Sequence, residues 1–204
     1  YCIFVRQTKK MSSKINLEFN GKEVELPIVV GSEGEYAIEV KSLRQQLGLI
    51  TLDPGYKNTG SCESGITFLD GEKGILRYRG YEIDELAEKA NFLEVAYLLI
   101  FGELPTQEQH DAFLIEIKEE SYVDEDLKKI LESFPKSAHP MGVLSCGLQA
   151  LGGAYPSLAS NNRQMDLDNF EDASSLIISA IRSISAARYR FTLGMEDSTK
   201  PLSG

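Results

Sequence analysis

The spacing between apolar residues changes from two residues to about 3.6 partway along this chain of 204 residues, and this limits its fold more than any other feature. Residues 14–50 alternate between apolar and polar positions, as strands with one buried face do, and residues 14–81 as a whole are predicted to form small β elements and loops. Within them, Asn20-Gly21 is typical of a two-residue hairpin turn, because both turn positions need a positive φ angle. Over residues 82–194 the apolar residues recur three and four positions apart, as in amphipathic helices. The chain is therefore predicted to be mainly α, with a small β-hairpin region preceding a multi-helix domain.

Glycine and proline divide the helical part into separate helices. Gly102 ends a helix that is apolar on nearly all sides and is therefore expected to be buried. Pro105 precedes a polar residue suited to cap the next helix, Pro135 ends a further one, and Pro140 begins another. The predicted helices run from Ile83 to Phe101, Thr106 to Glu119, Asp124 to Pro135, Pro140 to Leu151, and Asn169 to Phe191.

The two ends of the chain differ from the parts between them. Residues 1–13 precede the first alternating segment, and the stretch from Met11 onward resembles a natural start. We expect a non-native or disordered leader there. Residues 195–204 are predicted to form a divergent polar tail. The predicted organisation is thus a leader at 1–13, a β region at 14–81, the helical part of a large domain at 82–194, and a tail.

Acidic side chains outnumber basic ones by 31 to 21, which leaves a formal net charge of −10. Domains that bind nucleic acids usually present a basic surface, so this balance excludes a general phosphate-binding role. Only 2 histidines and 3 cysteines are present, which is thin material for a metal site or a disulfide scaffold. No apolar run approaches the roughly 18 residues needed to cross a bilayer. These features predict a cytoplasmic protein with no metal, membrane or nucleic-acid partner.

The helix predicted over Pro140–Leu151 mixes small and large residues around its surface. Glycine inside a helix costs about 1 kcal/mol relative to alanine, so its repeated use favours the close approach of a neighbouring helix. The plain interpretation is a tightly packed central or subunit-interface helix. The alternative is a nucleophile pair formed by Cys146 and His139, but apolar surroundings and the lack of a third orienting group disfavour it.

One cation interrupts the apolar stripe of the last predicted helix. On a helical wheel, Arg188 shares a face with Ile177, Ile181, Ile184 and Phe191. An arginine within an apolar surface must be paired or must reach an edge. Two interpretations remain open for Arg188: a buried structural pair, or a role at a subunit interface or ligand site.

The common catalytic motifs, such as the Walker loop and the nucleophile elbow, are absent, and no catalytic constellation can be assembled from the residues alone. Several long segments nevertheless resemble, in the right order, the amino-terminal part of bacterial citrate synthases over about residues 14–194. The leading β region is similar to that of the larger type II form, which assembles as a hexamer of dimers. The matching segments are Leu52–Tyr56, Thr59–Ser64, Ile66–Gly71, Gly74–Tyr81, Ile83–Ala87, Phe92–Leu99, Gly102–Thr106 and His139–Met141.

The resemblance implies a citrate synthase of the Si type, which condenses acetyl-CoA with oxaloacetate to give citrate and CoA at the entry of the tricarboxylic acid cycle. In that family an aspartate takes the methyl proton, histidines support the enolate and polarise the carbonyl, and arginines hold the carboxylates. The matching positions all lie downstream of this chain. The resemblance therefore implies an amino-terminal fragment, inactive alone, with no catalytic or substrate-binding residue and no cofactor.

The resemblance also places the two helices of the family's dimer contact at Pro140–Leu151 and Asn169–Phe191, and it implies a homodimer or hexamer. The candidate subunit-interface residues are Met141, Gly142, Ser145, Leu148, Ile177, Ile181, Ile184 and Arg188.

Three further expectations follow. The chain departs from the family after Gly194. Some family members bind NADH through basic residues of the last helix, and the matching Leu176 and Ala180 cannot hold a phosphate, so we expect insensitivity to NADH. Helices that are apolar on two faces predict aggregation or forced oligomerisation when nothing covers them. The competing interpretation is a short, non-catalytic helical dimerisation or binding module.

Overall fold

The computed structural model describes residues 2–4, 11–119, 123–156 and 160–195. The chain divides into two compact units, Tyr1–Leu104 and Pro105–Gly204. The first unit contains the strands and three helices, and the described part of the second unit is helical. The predicted fold class, mainly α with a small β-hairpin region first, is confirmed.

In the first unit, short strands precede most of the helical residues. The strands are β1 (Cys2–Phe4), β2 (Met11–Phe19), β3 (Lys22–Val30), β4 (Tyr36–Ile38), β5 (Cys62–Ser64), β6 (Thr67–Asp70), β7 (Ile75–Tyr78) and β8 (Tyr81–Glu82), and the helices are α1 (Leu43–Leu47), α2 (Ile83–Lys89) and α3 (Phe92–Phe101). β1 pairs with β5 in parallel. Two antiparallel sheets have the strand orders β2-β3-β4 and β6-β7-β8.

The hairpin predicted at Asn20-Gly21 is confirmed. The φ angles of these residues are 51° and 74°, as a two-residue turn that matches the twist of its strands requires. The resulting register puts Val24 and Leu26 on one face of β3, where Leu43 of α1 packs against them. The small core of this sheet therefore depends on the turn, because a slip by one residue would move both side chains to solvent.

The first long strand begins earlier than the sequence suggested. β2 starts at Met11, upstream of the predicted boundary at residue 14, and Met11 pairs with Val29 of β3. The pairing continues past an irregularity in the register between Met11 and Ser13. Backbone pairing thus extends into the segment that the sequence analysis assigned to a leader.

The side chain of Asp70 stabilises the turn between β6 and β7. One carboxylate oxygen accepts the backbone N–H groups of Glu72 and Lys73, and the other accepts the Lys73 ammonium at 2.9 Å. The hydrogen bond from Lys73 lowers the pKa of Asp70. The carboxylate thus accepts backbone N–H groups that have no backbone acceptor in the turn.

α3 has well-defined ends but is less buried than predicted. Asn91 and Glu94 form a reciprocal capping box at its start, and Gly102, with φ of 98°, ends it as expected. Leu98 is fully buried, whereas Phe92 is exposed and most of the remaining residues are half-buried. The expectation of a helix buried all round is therefore wrong for this unit.

The described part of the second unit contains five helices. They are α4 (Gln107–Glu119), α5 (Glu125–Ser133), α6 (Pro140–Ala154), α7 (Arg163–Asp168) and α8 (Phe170–Thr192). The short α7 was not predicted, since the last predicted helix begins only at Asn169. The side chain of Asn162 caps α7 by accepting two backbone N–H groups. The helical backbone is then interrupted at Asn169, and α8 begins at Phe170.

α8 is the central helix of the second unit and contacts α4, α5, α6 and α7. α6 comes close to its neighbours at Gly147, where an added Cβ would lie 3.2 Å from side-chain carbons of both Ile184 and Leu131. The buried core is formed by Val123, Leu127, Leu131, Val143, Leu151, Leu176, Ala180, Ile184 and Ala187.

Arg188 of α8 stabilises the C-terminal end of α5. Its guanidinium donates to the carbonyl oxygens of Leu131, Phe134 and Pro135 at 3.3, 3.3 and 2.6 Å, and it lies over the ring of Phe191. The last carbonyls of a helix have no partner within that helix, and burying them unpaired costs free energy. Arg188 donates hydrogen bonds to such carbonyls, so its guanidinium is bound within the second unit.

Ser179 makes a similar contact with α4. It is fully buried, and its hydroxyl donates to the carbonyl oxygen of Ile117 at 2.7 Å. Ile117 lies near the end of α4 as the structure describes it, at Glu119. Two polar side chains of α8 therefore bind backbone carbonyls of two neighbouring helices.

Replacing Arg188 tests this role. Arg188→Met keeps much of the apolar length but removes the guanidinium donor from the Leu131 and Phe134 carbonyls, and it leaves the Pro135 carbonyl with the Ala138 N–H alone. We expect it to lower the free energy of unfolding by about 3 kcal/mol, measured by urea titration. The free energy of unfolding of Arg188→Lys should lie between that of the unchanged chain and that of Arg188→Met, because an ammonium lacks the guanidinium's planar fork.

The matched control is Arg182→Met, since Arg182 lies on the same helix and is exposed. Its effect should stay within about 0.5 kcal/mol. Equal unfolding midpoints for the two methionine variants would contradict the role of Arg188.

Candidate subunit interface

The start of α6 is held by its own cap and by a close contact further along the helix. Nδ1 of His139 accepts a backbone N–H of the first turn at 3.3 Å, and Pro140 occupies a position where its missing N–H is not needed. Gly147 then fixes the helix against Ile184 and Leu131. The close approach predicted from the small residues is therefore found at Gly147, where it is directed into the core of the unit.

The opposite face of α6 is open. An added Cβ at Gly142, Gly152 or Gly153 would meet no atom within 4 Å. Met141 and Ser145 are exposed on this helix, and 62% of the Met141 surface is accessible. The small residues of α6 therefore do not act as one set, because Gly147 lies on a packed side of the helix and Gly142, Gly152 and Gly153 lie on an uncovered side.

α8 adds a second group of exposed apolar side chains. Ile177 and Ile181 are 46% and 38% exposed although they lie in the middle of the helix. Ile177 borders an open groove of about 240 Å³ between α6 and α8 that has no charged lining residue. The groove is lined by Leu148, Gln149, Leu151, Gly152, Tyr155, Ala173, Leu176 and Ile177.

Two of the eight candidate residues lie inside the unit. Ile184 is 0% exposed and Arg188 is 4% exposed. Ile184 packs in the core, and Arg188 is bound to the end of α5. Their burial leaves them no surface for a second subunit, and for Arg188 it favours the structural alternative. The other six candidates are exposed or half-buried.

The helical wheel placed the centre of the buried face of α8 in the wrong position. That face is centred on Leu176, Ala180, Ile184 and Ala187, and Ile177 lies at its margin. The three- and four-residue spacing of those four residues is a signal that could have located it. Leu176 and Ala180, the positions matched to NADH binding, are covered by protein and cannot touch a ligand.

The groups that could carry chemistry do not form a metal site in the described ranges. No three His, Cys, Asp or Glu side chains there are placed to hold an ion. Cys146 is half-buried, and its proposed partner His139 uses a ring nitrogen to cap α6. Among the helices that the structure describes, none is both long and apolar enough to cross a membrane.

The described carboxylates with lowered pKa values are held by local hydrogen bonds. The Thr59 side chain, followed by the backbone N–H of Asn58, lowers the pKa of Asp53 in a loop of the first unit. On α5, the hydrogen bond from Lys129 lowers the pKa of Asp126. These are exposed turn and helix-surface pairs, and neither aspartate lines the groove between α6 and α8.

Residues 55–203 match the family model described as "Citrate synthase, C-terminal domain". The match continues through residues 195–203, where the sequence analysis placed a divergent tail; from residue 196 these lie outside the described residues.

Solved structures of citrate synthases are similar to the chain. The enzyme from Thermotoga maritima MSB8 is 30% identical with a TM-score of 0.60, over 72% of this chain and 36% of that chain. The enzyme from Pyrobaculum aerophilum is 25% identical with a TM-score of 0.56, over 91% of this chain and 42% of that chain.

A third structure shares the fold. It is the citrate synthase of Thermoplasma acidophilum in a ternary complex with carboxymethyl coenzyme A and oxaloacetate. It is 22% identical, with a TM-score of 0.63 over 72% of this chain and 38% of that chain. The chain thus spans less than half the length of each of these relatives.

A charge placed on the exposed apolar face tests whether it binds a second subunit. Ile177→Glu and Ile181→Glu should each raise the dimer dissociation constant about tenfold or more, because a carboxylate would have to be buried in an apolar contact. Sedimentation velocity over a concentration series measures this constant.

Ile115→Glu is the control, because Ile115 is 57% exposed on α4, outside the candidate set. It should leave self-association unchanged. A dissociation constant that shifts equally in all three variants would exclude the face of α6 and α8 as the interface.

Proposed function

Because this chain belongs to the citrate synthase family, we propose that it is the amino-terminal part of a bacterial citrate synthase. The whole enzyme condenses acetyl-CoA with oxaloacetate, releasing citrate and CoA at the entry of the tricarboxylic acid cycle. The observation that carries this proposal is the family match over residues 55–203, supported by 30% identity to the Thermotoga maritima enzyme.

The ligands of a relative support the proposed substrates. The Thermoplasma acidophilum enzyme holds carboxymethyl coenzyme A and oxaloacetate in its ternary complex. Carboxymethyl coenzyme A carries the same CoA group as acetyl-CoA, with a carboxymethyl group where the acetyl group would be. The proposal assigns an acyl-CoA and a dicarboxylate to the whole enzyme, without a further cofactor.

Within this enzyme, the proposed role of the chain is architectural. It provides the packed helices and one half of a subunit contact, while the acid–base groups and the carboxylate-binding arginines come from chain that follows it. Six residues would meet the second subunit through the open face of α6 and α8, and Ile184 and Arg188 would support that face from behind. The six are Met141, Gly142, Ser145, Leu148, Ile177 and Ile181.

The assembly and compartment follow from the same proposal. We expect homodimers built on α6 and α8, associated further into the hexamer of the type II form, in the cytoplasm. NADH should not regulate this enzyme, since Leu176 and Ala180 are apolar and buried. The segment outside these units' described residues, from 196 to 204, has no assigned part.

One observation favours a second candidate function. The second unit has its own buried core and still presents an uncovered apolar face on α6 and α8. A short helical module that dimerises or binds another protein, without catalysis, has the same features. Citrate synthase activity distinguishes the two proposed functions, because a non-catalytic module shows no turnover in any form of the protein.

The decisive experiment compares the 204-residue chain with the longer polypeptide encoded at the same locus. Release of CoA from acetyl-CoA is followed with a thiol reagent, with and without oxaloacetate. We expect no turnover from the chain alone and oxaloacetate-dependent turnover from the longer polypeptide. NADH added to the longer polypeptide should leave its rate unchanged.

Two results would overturn parts of the proposal. Turnover by the chain alone would show that catalytic groups lie within it. A locus with no longer product, combined with a stable dimer of the chain, would establish the non-catalytic module instead.

A further inference from the structure

The outer edge of β2 is unpaired within the described residues. β2 lies at one side of the sheet ordered β2-β3-β4, so its only strand neighbour there is β3. The strand is nine residues long, from Met11 to Phe19. A long, open strand edge presents a row of backbone N–H and C=O groups that can pair with another chain.

The hairpin turn determines which residues face that edge. Asn20-Gly21 is a two-residue loop, so the flanking Phe19 and Lys22 exchange both backbone hydrogen bonds. Alternate residues of β2 then bond to β3, and the residues between them direct their N–H and C=O groups outward. The outward residues are Lys14, Asn16 and Glu18.

These outward residues are self-complementary about Asn16. If two copies of β2 meet antiparallel with a two-fold axis at Asn16, Lys14 of each copy lies opposite Glu18 of the other. Both pairs, and the central pair of asparagines, occupy hydrogen-bonded positions of the new ladder. Shifting the strands by two residues in either direction keeps the ladder but separates Lys14 from Glu18.

The charges inside one copy favour such a pairing. Glu18 lies directly opposite Glu23 of β3, and like charges at opposite positions destabilise a sheet. Lys14 is ion-paired with Glu25 and exposed. A second copy would bring its own Lys14 beside Glu18, on the side of the strand where no cation of the same copy lies opposite.

The other face of β2 gains from the same arrangement. Ile15, Leu17 and Phe19 are between 37% and 42% exposed, which is high for apolar side chains in a sheet. With the axis at Asn16, Ile15 of each copy lies opposite Leu17 of the other. Apolar cross-strand pairs of this kind stabilise a sheet.

We infer that β2 pairs antiparallel with β2 of a second copy of this chain, about a two-fold axis at Asn16, joining the two three-stranded sheets into one continuous sheet. The pairing uses no residue of α6 or α8, so it is a contact separate from the candidate interface. It does not depend on the proposed reaction, and loss of enzyme activity would not affect it.

Cross-linking at the axis tests this contact in the full chain. Asn16→Cys is introduced in a background in which Cys2, Cys62 and Cys146 are replaced by serine. Residues opposite each other at a hydrogen-bonded position have Cα atoms about 5.5 Å apart, within the range of a disulfide. Glu35→Cys, exposed in the loop between β3 and β4, is the control.

Under mild oxidation we expect Asn16→Cys to form covalent dimers at least about tenfold faster than Glu35→Cys. Circular dichroism confirms that both variants are folded. Equal rates would overturn the inference, because they would show random collision or general aggregation.

Charge reversal then tests the register, with the cross-linking rate of Asn16→Cys as the readout. Lys14→Glu and Glu18→Lys each place like charges opposite each other at both symmetric positions and should slow cross-linking about tenfold. The double reversal restores opposite charges and should recover the original rate.

The stability of the chain separates this effect from damage to the hairpin. Glu18→Lys replaces the Glu18–Glu23 repulsion by an attraction, so its melting temperature should not fall even though cross-linking slows. Single reversals that leave the rate unchanged, or a double reversal that stays slow, would overturn the proposed register.

Discussion

The second unit depends on hydrogen bonds from side chains of α8 to backbone carbonyls of the neighbouring helices. Ser179 of α8 donates to the carbonyl of Ile117 in α4, and Arg188 of α8 donates to carbonyls at the C-terminal end of α5. Because one helix binds both neighbours, it holds α4 and α5 relative to each other, and the close contact at Gly147 adds α6 to the same framework.

This use of α8 determines what the unit presents outward. Leu176, Ala180 and Ile184 of this helix lie in the core. Ile177 and Ile181 therefore lie at the edge of its buried face and are exposed. On α6, Gly147 is packed inward while Gly142 faces open space. Two helices anchored on one side and apolar on the other are what a subunit contact requires, because an interface needs a rigid, uncharged surface that loses water on binding.

Local signals in the sequence were sufficient where the structure is decided by neighbouring residues. The turn at Asn20-Gly21, the end of α3 at Gly102 and the start of α6 at Pro140 were all predicted, since φ restrictions and missing N–H groups act within one turn. The separate helix α7 was not, because Asn162 is an ordinary polar residue until its side chain accepts the backbone N–H groups at the start of that helix. Of the candidate site, the exposed positions on α6 were anticipated, the burial of Arg188 was one of the two interpretations left open, and the burial of Ile184 was not anticipated.

The sequence by itself determined the fold class, the position of a β region before the main helical part, and the family, because these depend on hydrophobic period, turn chemistry and matching segments. The tertiary structure decided which face of each helix is buried. A helical wheel gives the relative angles of Ile177, Ile181, Ile184 and Arg188, but not the angle from which neighbouring helices approach. That direction is set by the contact at Gly147 and by the carbonyls that Arg188 and Ser179 bind, and these involve residues far apart in the chain.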